Sequence, residues 1–249
     1  MSPKPIITPD KFDAVLFDLD GVITATAKIH AACWKRMFDD FLSRRAVESG
    51  RTLQPFDLAT DYKHYVDGKL RYDGVQSFLA SRGIELPFGT PQDPPGTATV
   101  CGLGNLKDEM VKEKIRHGEV DIHPDGVALA RHVRTLGLKT AVVSASKNCQ
   151  EVLEAVGLAE LFDVRVDGNV ADDLDLPGKP APDTFLQAAA MLQVQPERAV
   201  VVEDALSGVA AGRAGGFGLV IGVDRKGDAL ALKEGGADLV VADLRELID

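Results

Sequence analysis

The stretch Phe12–Thr26, FDAVLFDLDGVITAT, constrains the fold of this chain more than any other. Ala14, Val15, Leu16 and Phe17 form an unbroken apolar run, the pattern of a short strand covered on both faces. The run stops at Asp18, and Asp20 and Gly21 follow. A buried strand has no local reason to end in acid. The carboxyl edge of an open α/β sheet, in contrast, is where such folds place their ligands. Read alone, DxDG is also what a strand looks like when it stops at a solvated turn, so the rest of the chain has to decide.

The second half of the chain supplies sheet partners. Apolar strands are expected over 139–143, 164–167, 199–202, 219–223 and 239–241. Helices are expected between them over 127–136, 148–156, 183–192 and 206–214. That alternation predicts an α/β fold built on a parallel sheet. Between the first strand and this region the chain reads as helix and loop. Helices are expected over 27–45, 75–82 and 107–116, with a Pro/Gly-rich loop over 87–96. In the first of these helices Ile29, Ala32, Cys33, Met37, Phe38, Phe41 and Leu42 recur at helical spacing. The economical organisation is a core formed by 1–24 and 119–249 that carries an inserted α-helical domain over 25–118. Two consecutive domains would leave the run at 14–17 without strand partners. Residues 1–11, with three prolines, read as an extended arm.

Composition bounds the partners. A net charge of −10 and a pI near 5.0 argue against a nucleic-acid groove or an anionic membrane surface. They leave room for a phosphorylated small molecule, because local cations and a metal can outweigh the global charge. Cys33, Cys101 and Cys149 are too few and too scattered for a disulfide framework or a zinc site, and read as small buried side chains. No apolar stretch reaches the roughly 18 residues of a membrane span, and the N-terminus lacks the apolar core of a signal peptide. A soluble cytoplasmic monomer acting on a small molecule is expected.

Three later segments repeat the opening theme of an apolar strand or loop that ends in chemistry. TAVVSAS leads into Ser144, PGKPAPD presents Lys179, and AVVVED ends in Glu203 and Asp204. In a parallel sheet the strand ends share one edge, so these groups can converge. Each has a plain reading by itself: a helix-capping serine, a solvated loop lysine, acids at a helix start. Together, Asp18, Asp20, Glu203 and Asp204 would repel one another without a cation. An all-oxygen set with no His or Cys implies a hard ion, Mg²⁺ foremost. Lys179, the Ser144 hydroxyl and nearby N–H groups would bind the oxygens of an anion beside it, which suggests phosphoryl transfer. There is no GxxxxGK[ST] loop, so a carboxylate nucleophile fits better than an NTPase of that type.

At these residues the sequence resembles the haloacid dehalogenase superfamily. The motifs are DLDGVIT (18–24), VVSAS (142–146), GKPAPD (178–183) and VVEDALSGVAAG (201–212), with GLVIGVDR beyond them. Within it the chain is similar to the β-phosphoglucomutase group, through DGVITATAKIH…W (20–34) and SASKN (144–148). The resemblance implies a Rossmann-like core with an α-helical cap. It implies Asp18 as the nucleophile that becomes phosphorylated and Asp20 as general acid/base, its carbonyl also on Mg²⁺. Ser144 and Lys179 would serve the transferring phosphate, and Asp18, Asp20, Glu203 and Asp204 the metal. Thr26, His30, Trp34, Gly68, Arg71, Lys107, Ala145, Ser146 and Asn148 would bind substrate, with Arg71 on its distal phosphate. The implied reaction interconverts β-glucose 1-phosphate and glucose 6-phosphate through a β-glucose 1,6-bisphosphate intermediate, with cap closure excluding water. A sugar-phosphate phosphatase with the same residues is the alternative, and a non-catalytic sugar-phosphate sensor is disfavoured by the intact Asp pair. The chain departs from the family pattern at Ala25, often Asp, and at Asp67, where a lysine is expected before Gly68 and Lys69 or Lys63 stand nearby. The cap is also longer, through 46–60 and 87–105.

Overall fold

In the computed structural model, which describes residues 6–50 and 52–248, the apolar run becomes the central strand. Strand β1 (Ala14–Phe17) is fully buried along its length. It is flanked by parallel β2 (Lys139–Val143) and parallel β4 (Ala199–Glu203), with Leu16 in register with Ala141 on one side and Val201 on the other. A strand with neighbours on both edges and helices on both faces meets no water, which is why alternation is absent from AVLF. Burying each of Leu16 and Phe17 contributes about 1.5–3 kcal/mol.

The sheet has six parallel strands in the order β3-β2-β1-β4-β5-β6, with β3 at Val164–Val166, β5 at Leu219–Val223 and β6 at Leu239–Val241. The chain runs outward from β1 to β3, then returns to the other side of β1 for β4. This reversal opens a crevice at the carboxyl ends of β1 and β4, the place where doubly wound sheets bind ligands. Helices α4 (Pro124–Thr135), α5 (Cys149–Ala155), α6 (Gly168–Asp173), α7 (Asp183–Leu192), α8 (Leu206–Ala214) and α9 (Ala229–Glu234) connect the strands. The apolar core beneath them joins Leu16, Val143 and Val201 to Phe185, Ala188 and Val209.

The chain forms two compact units, Met1–Thr26 with Val120–Asp249, and Ala27–Glu119. The second contains α1 (Ala27–Ser49), α2 (Arg71–Ser81) and α3 (Val100–Arg116), with a π-helical turn over Tyr62–Val66. Its core is aromatic: Phe38 packs on Phe78 at 4.1 Å and on Phe56 at 5.2 Å between ring centroids. Trp34 stacks on Phe38 at 5.3 Å and is buried, whereas Ala32, expected on the apolar face, is exposed. Helix α3 starts at Val100 rather than 107, because the Thr99 side chain caps it by accepting the Gly102 N–H at 2.9 Å. Helix α2 likewise starts at Arg71 rather than 75.

The expected N-terminal arm is partly outside the described residues, which exclude 1–5. Residues 6–11 are not extended. They close a turn in which Thr8 O accepts the N–H groups of Lys11 and Phe12 at 3.0 and 2.9 Å, and Ile7 is buried. Among the described residues no helix is long and apolar enough to cross a membrane.

Candidate active site at the carboxyl edge of the sheet

Asp18 continues β1 by one residue. Its N–H donates to Val202 O at 2.9 Å, so the ladder to β4 sets where the carboxylate goes. That carboxylate is buried and meets Lys179, from the loop before α7, where the Lys179–Pro180 bond is cis. Lys179 Nζ donates to Asp18 Oδ1 at 2.5 Å and to Glu203 Oε1 at 2.6 Å, and lies 4.8 Å from the centre of the Phe185 ring. Burial alone would push this amine down, but the two carboxylates more than offset it and hold Lys179 above its ordinary range. The lysine therefore stays charged at any working pH.

Glu203 closes β4 and is fully buried. Its other oxygen, Oε2, accepts the Ala205 N–H at 2.8 Å, which pins the turn into α8. Helix α8 comes so close that a Cβ on Gly208 would stand 1.7 Å from Glu203 Oε1. The glycine of ALSGVAAG is thus required by the carboxylate under it. Asp204 follows, buried, with Lys226 Nζ 3.5 Å from its Oδ2.

Asp18, Glu203 and Asp204 each offer a carboxylate oxygen within 4.8 Å of the others, the one such cluster among the described residues. Of these three carboxylates the buried Lys179 ammonium pairs with two, Asp18 and Glu203. Burial, and then the Glu203 charge, push Asp18 well above the usual carboxylate range despite Lys179. An oxygen-only set with excess negative charge is what a hard divalent cation takes, so these residues fit Mg²⁺. The Asp20 side chain lies outside this cluster.

Asp20 is held by the turn that follows it. Gly21 has φ +96°, and a Cβ there would stand 2.3 Å from Asp204 Oδ2, so only glycine satisfies both the backbone and the neighbouring carboxylate. Gly21 N–H donates to Thr24 O at 2.7 Å, while Leu19 O accepts the N–H groups of Ile23 and Thr24, each at 2.9 Å. The Thr26 hydroxyl donates to Asp20 Oδ1 and is itself 2.9 Å from the Thr24 hydroxyl. Thr24 is thus a further member, which stands in the motif DLDGVIT but was given no role there.

Ser144 follows β2, its N–H on Val166 O at 3.0 Å. Its hydroxyl accepts the Ser146 N–H at 3.1 Å, and the Ser146 hydroxyl accepts the Asn148 N–H at 3.2 Å. These bonds bend residues 144–148 into a tight loop leading to α5. Asp167 brackets it from the next strand by capping α6, accepting from Asn169 and Val170 at 2.9 and 3.1 Å.

The remaining expected binding residues lie in the helical unit. Lys107 on α3 is buried, with its Nζ 2.7 Å from His30 Nδ1 and 4.9 Å from the Trp34 ring centre. Arg71 opens α2 and pairs with Asp108 at 2.9 Å, with Lys112 on the same carboxylate at 3.0 Å. Gly68, at φ +70°, sits in the turn before α2, and Lys69 beside it donates to Ser77 Oγ at 2.9 Å.

A family model described as haloacid dehalogenase-like hydrolase matches residues 12–216. Over 243 residues the chain is 49% identical to proteins named beta-phosphoglucomutase in Mycobacterium bovis and Mycobacterium tuberculosis, covering 96% of this chain and 93% of theirs. It is 29% identical to the beta-phosphoglucomutase of Bacillus subtilis, covering 94% and 91%. Among solved structures, a beta-phosphoglucomutase from Clostridium difficile superposes with a TM-score of 0.73 at 26% identity, covering 95% of this chain and 93% of that one.

Proposed function

This chain belongs to the haloacid dehalogenase-like hydrolase family, and we propose that it interconverts β-D-glucose 1-phosphate and D-glucose 6-phosphate by carrying the phosphoryl group on Asp18. The observation that carries the chemistry is the buried Lys179 bridging Asp18 and Glu203 at the switch point of the sheet. A lysine there fixes Asp18 in one direction and keeps a positive charge where phosphoryl oxygens gather. The near full-length likeness to the mycobacterial enzymes supports the sugar phosphate as substrate.

In the proposed cycle the phosphorylated Asp18 gives its phosphoryl group to the 6-hydroxyl of β-glucose 1-phosphate, while Asp20 takes the hydroxyl proton. The resulting β-glucose 1,6-bisphosphate turns around. Asp18 then attacks the phosphorus at C1, the bond to the C1 oxygen breaks, and Asp20 returns the proton to that oxygen. Thr26 aims the Asp20 carboxyl by its hydrogen bond. Asp18, Glu203 and Asp204, with the Asp20 carbonyl, would hold Mg²⁺, which would supply charge to offset the transferring phosphoryl oxygens. Ser144, Ala145, Ser146 and Asn148 are assigned to those same oxygens, through a loop already bent by its own hydroxyls. In the helical unit Arg71 is assigned to the non-reacting phosphate, which must compete with Asp108 for the guanidinium. Lys107, His30, Trp34 and Gly68 are assigned to the sugar and its second phosphate.

The family's hydrolases support a second reading, a phosphatase in which water replaces the sugar hydroxyl. One assay separates the two. β-Glucose 1-phosphate is supplied with Mg²⁺ and a trace of β-glucose 1,6-bisphosphate, and glucose 6-phosphate and free phosphate are measured separately. Glucose 6-phosphate in large excess over phosphate is expected; stoichiometric phosphate release without isomerisation overturns the mutase reading.

A further inference from the structure

Arg225 lies in the loop after β5, far from every residue assigned above in sequence, yet it reaches the turn that carries Asp20. Its Nε donates to the Gly21 carbonyl at 2.8 Å. The two terminal nitrogens grip Asp125 as a fork, Nη2 on Oδ1 at 3.0 Å and Nη1 on Oδ2 at 2.9 Å. Arg225 and Asp125 side chains are 16% and 7% exposed, so water offers little competition for these bonds. Asp125 is fixed in turn: it lies in the first turn of α4, and its Oδ2 also accepts the Leu244 N–H at 3.0 Å. The loop that presents the arginine is rigid for a local reason. Asp224 Oδ1 accepts the N–H groups of Lys226, Gly227 and Asp228 at 3.2, 2.7 and 2.7 Å, and Asp224 N–H donates to Val241 O at 2.8 Å.

Asp20 is therefore clamped on both sides. Before it, Leu19 O holds Ile23 and Thr24; after it, Gly21 offers its N–H to Thr24 and its carbonyl to Arg225. Through the Gly21 carbonyl the turn is tied to a charged side chain from another loop. Without that tie the peptide between Gly21 and Val22 could rotate at a residue whose φ is already open to many values. The turn that carries Asp20 would keep the Thr26 bond to the carboxyl but lose its anchor to the loop after β5.

We propose that Arg225 is a positioning residue for the reaction: it acts through the Gly21 carbonyl to hold Asp20 where the sugar proton must be taken and returned. This rests on the acid/base role assigned to Asp20 above. An arginine is suited to the task because one planar group serves three bonds in two directions, which a lysine cannot do.

The test compares the Mg²⁺-loaded wild type with Arg225→Met and Arg225→Lys. Two readouts are taken, mutase kinetics with β-glucose 1-phosphate and amide exchange at Gly21, Ile23 and Thr24 without substrate. Misplacing a catalytic group by a fraction of its reach costs about tenfold to a hundredfold. We expect kcat of Arg225→Met to fall by that factor with KM within about threefold. Exchange at the three amides should rise by about tenfold or more while the β2 amides keep their wild-type protection. Arg225→Lys should fall between the two on both readouts, and it decides the matter if Arg225→Met does not fold. An unchanged kcat per folded molecule overturns the proposal, as does exchange that rises evenly across the sheet, since that marks a role in stability alone. If the wild type fails to isomerise the sugar while Arg225→Met still loosens those three amides, the brace stands and the assigned reaction falls.

Discussion

At the scale of single residues, Lys179 is the group on which the site's electrostatics turn. It is the one ammonium bonded to both Asp18 and Glu203, and all three side chains are buried. Lys179→Met keeps most of the volume and removes the charge. It leaves two carboxylates buried without their partner, a change that typically costs about 3–5 kcal/mol. The variant should therefore unfold at markedly lower denaturant than the wild type, and at saturating Mg²⁺ should lose phosphoryl transfer to Asp18 altogether. Retained stability, measured by urea unfolding, would show that the pair is compensated elsewhere. Gly208 and Gly21 belong to the same account from the opposite side. Each is a glycine because a carboxylate, Glu203 or Asp204, occupies the space a side chain would need. For Gly208 that role is invisible as local turn chemistry and follows from the acid it presses against, whereas Gly21 also answers to its φ of +96°.

At the scale of elements, Asp125 joins three pieces of chain: the first turn of α4, the loop after β5 through Arg225, and the C-terminal turn through Leu244. Burial raises its pKa, but the Arg225 hydrogen bonds and the Leu244 N–H outweigh that and hold it below the usual carboxylate range. A carboxyl whose folded pKa is depressed adds stability above its unfolded pKa, near 4, and loses it as pH falls through the folded value. Asp125→Asn should thus cost about 2 kcal/mol at pH 7. For a chain of this size that is a drop in Tm of about 4–8 °C. As pH falls below about 4 the gap to the wild type should narrow; a gap that stays equal from pH 7 into acid would refute the ionic account. This junction also shows what could be read in advance. The bounds of β2, α7, α8, β5 and β6 agree with the strand and helix expectations, because each apolar run there is punctuated by glycine or a polar turn. The convergence of Asp18, Glu203 and Asp204 followed from one rule, that parallel strands end on one edge, and Lys179 joins them from the loop before α7. The start of α3 was not legible, because GLG reads as loop until Thr99 caps it and Gly104 is seen to sit where a side chain would strike Tyr72. Helices α6 and α9 escaped for another reason, being too short for a periodicity to register. Arg225 closes the GLVIGVDR stretch but drew no role there, because its partners, the Gly21 carbonyl and Asp125, lie far away in sequence.

At the scale of the whole molecule, the acids able to hold a metal gather in one unit. The chain carries a net −10, and among the described residues the single cluster able to hold a metal lies at the sheet edge, in the unit formed by Met1–Thr26 and Val120–Asp249. The helical unit Ala27–Glu119 contributes none of its members. A cation that binds only the folded cluster stabilises that unit by mass action, about 2.7 kcal/mol at a hundred times its Kd. The two units have separate cores, one around Phe185 and Val201 and the other around Phe38 and Phe78. Calorimetry in EDTA and in Mg²⁺ at matched ionic strength should therefore show a selective effect. If the units melt as separate transitions, the one that reports the sheet rises with Mg²⁺ and the aromatic, helical one stays where it was. If they melt together, the joint transition rises by a smaller amount, because the same free energy is set against a larger unfolding entropy. Asp204→Asn should abolish the rise in either case, since it removes one ligand without touching the Lys179 pair. A rise that survives in Asp204→Asn, or that NaCl reproduces, would mean general screening of the acidic surface rather than occupation of the site.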